Sequence, residues 1–105
     1  MNVRRRGAAY EREIAKDLKA RGFDARRGQQ YSGANGDADV IGLPGVHIEC
    51  KRTNRLRLYE ALQQSIDDAR PGEIPTVWHR SDGNKTVVIL RESDFLDLYE
   101  RAHML

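Results

Sequence analysis

Four charged side chains crowd one otherwise apolar stretch, GDADVIGLPGVHIECK, spanning Gly36 to Lys51: Asp37, Asp39, Glu49 and Lys51. A charge turned into a packed interior is strongly unfavourable unless it is paired or bound to a cation. These four therefore face water or share a task. Alternation along a strand puts Val46, Ile48 and Cys50 on one face and His47, Glu49 and Lys51 on the other. The hairpin loop then decides where Asp39 points. A two-residue Pro44-Gly45 loop pairs residue 40 with 49 and sends Asp39 to the opposite face. A loop over 43–45 or 42–46 pairs residue 39 with 49, bringing two carboxylates to one face with Cβ atoms about 5 Å apart. The sequence predicts this second register, or a bulge that produces it, because only this arrangement assembles a site. Asp37 has the same parity as Asp39 and stands as an alternative or supporting ligand.

Two carboxylates that close repel each other and favour a cation between them. Hard oxygen ligands select Mg²⁺, with Mn²⁺ able to substitute. Such an ion binds phosphate oxygens, lowers the pKa of a bound water and stabilises the charge of an in-line displacement. Lys51 on the same face would position the water or neutralise the transition state. These residue types suit metal-assisted phosphodiester hydrolysis. E-x-K alone is a permissive pattern, since an exposed strand carrying a salt bridge reads the same way.

The rest of the chain must hold that hairpin. At 105 residues it is read as a single domain, residues 1–105, with a basic arm at 1–6. AAYEREIAKDLKARG reads as an amphipathic helix on Tyr10, Ile14 and Leu18, closed by Gly22. FDARRG is a short strand, ADVIGL and GVHIECKR are paired strands, and RLYEALQQSIDDAR is a second helix with Leu58, Leu62, Ile66 and Ala69 in its stripe. IPTVWHR and KTVVILR form a hairpin around Ser81–Asn84, and SDFLDLYERAHML is a third helix with Ser93 or Asp94 as N-cap. This order predicts an α/β fold: a mixed central β-sheet flanked by helices, an α-β-β-β-α-β core plus a C-terminal helix. Residues 1–57 carry 13 Lys/Arg against 7 Asp/Glu, while residues 58–105 carry 5 against 9. A basic half interrupted by a few carboxylates suits a polyanion such as nucleic acid. No apolar run reaches membrane-spanning length, and the basic N-terminus lacks the apolar core of a secretory signal. One cysteine precludes an internal disulfide. The expectation is a cytoplasmic protein, bacterial or in a phage-infected host, without a membrane partner.

The hairpin and its preceding helix resemble the PD-(D/E)xK nuclease superfamily, and most closely its small Holliday junction resolvase-like members of archaeal and phage type. The matching text is YEREIAKDLKARGF, then Arg27, Asp39-Val40-Ile41 and Glu49-Cys50-Lys51. Ala38 stands where the motif has Pro. The resemblance implies a restriction-endonuclease-like fold and a Mg²⁺-dependent endodeoxyribonuclease. It further implies that Glu11, Asp39, Glu49 and the Cys50 backbone carbonyl hold the metal, directly or through water. Lys51 is implied to be catalytic, Gln64 to lie near the site, and Arg12 and Arg27 to contact DNA. Arg52 and Arg55, just past the catalytic strand, are expected at the DNA backbone, and Arg4, Arg5 and Arg6 as phosphate-gripping side chains of the arm.

Other residues carry plainer readings. Parity sends Cys50 to the core as a structural thiol, not a nucleophile. His47 shares the Glu49 face, while His79 and His103 lack any zinc or HNH spacing. Trp78 belongs to the core, and Tyr31 is a candidate base-stacking residue. So small a domain contacts little duplex, which favours a homodimer that cuts DNA, branched DNA included. Two alternatives stay open at this level: a silent nucleic-acid-binding module of the same fold, and a restriction-type enzyme acting on linear duplex.

Overall fold

The computed structural model describes residues 3–29 and 38–104, with side chains from Gly7 onward. Eight elements follow in order: α1 (Val3–Ala20), β1 (Arg26–Arg27), β2 (Val40–Ile41), β3 (Val46–Arg52), α2 (Leu58–Asp68), β4 (Ile74–Arg80), β5 (Val87–Ile89) and α3 (Glu92–His103). The strands form one sheet in sequence order. β1, β2 and β3 are antiparallel, β3 and β4 are parallel, and β5 returns antiparallel to β4. The parallel step requires a crossover, and α2 supplies it. The mixed sheet with three helices is the restriction-endonuclease-like α/β fold expected above.

Alternation along β3 builds two cores, one on each sheet face. Ile48 is fully buried with Tyr10, Ile14, Ala15 and Leu18 of α1 and with Ala25 and Val40. Val77, aligned with Glu49 in the β3–β4 register, packs on the other face with Ala61 and Leu62 of α2. Helices thus cover both sides of β3, so the Glu49 face is not an open strand surface. His47 and Glu49 are only 4% and 5% exposed. Beneath α2, Ser65 Oγ donates to the Thr76 carbonyl at 2.9 Å and Thr76 Oγ1 donates to the His47 carbonyl at 2.7 Å. These bonds tie the helix and β4 to the strand that carries the site.

Two boundaries and one helix face differ from expectation. α1 begins at Val3, so Arg4, Arg5 and Arg6 lie within the helix and not in an arm ahead of it. Arginine is a good helix former, and no proline precedes Gly7 to stop the helix. α3 takes Arg91, not Ser93 or Asp94, at its N-cap. Asp94 instead accepts from Arg91 Nε at 2.9 Å within the first turn, where its charge also suits the helix dipole. Leu58 is exposed, and the buried stripe of α2 runs through Ala61, Leu62 and Ser65. Tyr31 and Asp37 lie outside the described residues.

Candidate active site

The β2–β3 hairpin has the register that joins the carboxylates. Val40 pairs with Ile48, and just beyond this pair the Asp39 carboxyl meets that of Glu49. The turn is closed by Val46 N–H donating to the Leu43 carbonyl at 3.2 Å, with Gly45 at φ +78°. Gly42 sits at φ +111°, and a Cβ there would collide with the Asp24 carbonyl and Ala25. Glycine is therefore required where β2 leaves for the turn. At Asp39 the ladder slips, because its N–H donates to the Ile48 carbonyl at 3.0 Å, as at a β-bulge.

The Asp39 side chain is fastened from behind. Its Oδ2 accepts the Cys50 backbone N–H at 2.8 Å. Burial and the neighbouring Glu49 charge push the Asp39 carboxyl up to about 7, with the Cys50 bond opposing and Glu11 adding to the rise. Glu49 Oε1 is held by His47 Nε2 at 2.8 Å. Lys51 Nζ donates to Gln64 Oε1 of α2 at 3.0 Å, which fixes the ammonium beside the hairpin. Glu11 Oε1 of α1 accepts Arg27 Nε of β1 at 2.9 Å. The Cys50 thiol lies in the middle of this group. Burial raises its pKa far above the ordinary thiol value, the charges of Asp39, Glu11 and Glu49 raise it further, and Lys51 opposes them. Such a thiol is no nucleophile, in keeping with its packing against the α1 core.

The structure therefore brings Glu11, Asp39, Glu49, Lys51 and Gln64 together. Of the three carboxylates, Asp39 feels the charges of both others, that of Glu49 more than that of Glu11. Arg27 is engaged with Glu11, and Arg52 bridges to Asp82 at 2.7 Å. Asn54 Nδ2 donates to the same Asp82 carboxylate at 2.8 Å, so the segment after β3 is pinned to the β4–β5 turn. Arg12 and Arg55 are exposed. His79 bonds the Thr53 carbonyl at 2.8 Å, a structural tie.

Sequence reading missed the partner of Glu13. Glu13 pairs with Arg80 at 3.1 Å, and that guanidinium lies 5.8 Å from the Tyr10 ring centroid. It also missed the approach of Asp68 and Glu73 to His47. Only the parity of His47 with Glu49 hinted at that cluster.

The topology and the hairpin site define the class, a restriction-endonuclease-like α/β domain. Residues 2–66, more than half of the chain, match the family model described as archaeal Holliday junction resolvase (Hjc). The chain belongs to that family, a branch of the PD-(D/E)xK nucleases. No curated protein and no solved structure matches it. Among the described residues, no helix is long and apolar enough to cross a membrane.

Proposed function

We propose that this chain is a Mg²⁺-dependent, structure-selective endodeoxyribonuclease that cuts branched DNA as a homodimer, with Mn²⁺ able to replace Mg²⁺. The observation that supports this reading is the contact between the Asp39 and Glu49 carboxyls at the β2–β3 hairpin, beside a Lys51 held by Gln64. Asp39, Glu49, Glu11 and the Cys50 carbonyl would hold the ion. When bound, it supplies Lewis-acid activation of the phosphate and a more acidic water.

The remaining roles belong to the chain's own groups. The Cys50 N–H holds Asp39 in place, so this ligand needs little reorganisation on binding. His47 fixes one oxygen of Glu49. Lys51 would meet the negative charge that develops on the scissile phosphate. Arg27, Arg52, Arg55, Arg12 and the Arg4–Arg6 turn of α1 supply phosphate contacts on the basic half of the chain.

The dimer reading is supported by an uncovered face. β5 is an edge strand of the sheet, Val87 and Val88 are exposed, and α3 has no buried residue. Phe95, Leu96, Leu98 and Tyr99 of α3 are exposed as well.

Cleavage of a synthetic four-way junction, a nicked duplex and a linear duplex in Mg²⁺ or EDTA tests the substrate class. Metal-dependent, paired incisions at the junction are expected. Equal cutting of linear duplex would point to a restriction-type enzyme, and metal-independent binding without cutting to a silent module.

A further inference from the structure

Behind the Asp39–Glu49 pair, toward the N-terminal end of β3, a second group of ligands converges. His47 Nε2 meets Glu49 Oε1 at 2.8 Å, and His47 Nδ1 lies 3.9 Å from Glu73 Oε1. Asp68, the last residue of α2, completes the set. One ligand atom from each of His47, Glu49 and Asp68 falls within 4.8 Å of the others. Two ligands that share a zinc ion lie at most about 4.2 Å apart, given metal–ligand bonds near 2.1 Å. A small rotation of the exposed Asp68 side chain closes the difference, while His47 and Glu49 are already within range.

Two further observations point to a cation at this spot. α2 ends in Asp67-Asp68 with no basic residue in its last turn. Carboxylates at a helix C-terminus oppose the helix dipole, and a cation there relieves both. A cavity of about 480 Å³ also opens onto the group, lined by His47, Asp68, Glu73 and Arg70 and by the hairpin residues Leu43 and Pro44. It offers a path from solvent to otherwise buried ligands.

We propose that His47, Glu49 and Asp68 form a second cation site, separate from the Asp39 side of Glu49, that takes a borderline divalent metal such as Zn²⁺. The ion would take the place of the hydrogen bond between His47 and Glu49. An imidazole with two carboxylates prefers such a metal to Mg²⁺. Glu73 Oε1, 3.9 Å from His47 Nδ1, adds negative charge beside the ring without a hydrogen bond to it. The site shares only Glu49 with the nuclease reading and does not depend on that reading.

Calorimetric titration of the full chain with Zn²⁺ tests it, with Co²⁺ absorption reporting the ligand set. The wild type should bind Zn²⁺ saturably, and Asp68→Asn, at an exposed position, should weaken that binding at least about tenfold with its metal-free melting temperature unchanged. His47→Gln should remove the site. Asp39→Asn, which disables the proposed catalytic ion but also touches Glu49, should weaken it less than either of these changes. Zn²⁺ affinity unaltered in both Asp68→Asn and His47→Gln, or no saturable binding by the wild type, overturns the proposal. Loss in Asp39→Asn with retention in Asp68→Asn overturns it too, and places the metal on the nuclease site.

Discussion

At the scale of single residues, Asp39 holds the sharpest conflict. Its carboxyl titrates near 3.8 in an unfolded chain and near 7 in the fold, where burial and Glu49 disfavour its charge. The folded chain therefore binds that proton more tightly. The resulting stability is full below about pH 4 and is lost as pH rises through 7. Over roughly three pH units this is at most about 4 kcal/mol. The upward shift at His47 acts with the same sign, above its ordinary 6.5. In EDTA the urea midpoint should fall between pH 5 and pH 8, and Asp39→Asn should lessen the fall. Mg²⁺ should restore stability at pH 8, because a bound cation favours the ionised carboxylates. An equal pH dependence in the variant would show that Asp39 is not the source.

At the scale of elements, the β2–β3 turn and the buried face of β3 set the site. Gly42→Ala forces a Cβ against the Asp24 carbonyl at φ +111° and should destabilise the fold by about 2 kcal/mol or more, read as a lowered melting temperature. Ile48→Ala removes a side chain that is 0% exposed between α1 and the sheet, with an expected loss of about 2–5 kcal/mol in denaturant unfolding. Much of this was legible in the sequence. Parity alone separated Ile48 from Glu49, and the demand that Asp39 meet Glu49 fixed the odd register that Val40↔Ile48 displays. What stayed hidden came from contacts across the crossover. Asp68 and Glu73 reach His47 only because α2 folds over β3 and delivers the chain to β4. No local spacing encodes that approach. The start of α1 was misread for another reason: a run of arginines suggests a solvated arm, although the same side chains are good helix formers.

At the scale of the whole molecule, charge and apolar surface divide the labour. The basic half contains β1–β3 and the helix that carries Glu11, so salt should weaken DNA binding steeply. Arg52→Ala and Arg55→Ala should each lower the salt slope by about one without changing which DNA is preferred. A smaller loss for Arg52 would be consistent with its bond to Asp82. The acidic half ends in the exposed apolar residues of β5 and α3. If two copies meet there, Leu98→Glu should give a monomer in sedimentation equilibrium and uncouple the paired incisions on a junction. A wild type that sediments as a monomer at micromolar concentration would remove the dimer from the account.

The most direct test of the central claim is single-turnover cleavage of a four-way junction in Mg²⁺ by the wild type, Glu49→Gln and Lys51→Ala. Junction binding is measured alongside. Each variant should bind within a few-fold of the wild type. Lys51→Ala should cut at least about a hundredfold more slowly and Glu49→Gln more slowly still. Cleavage at the wild-type rate by either variant would contradict the placement of chemistry on this hairpin.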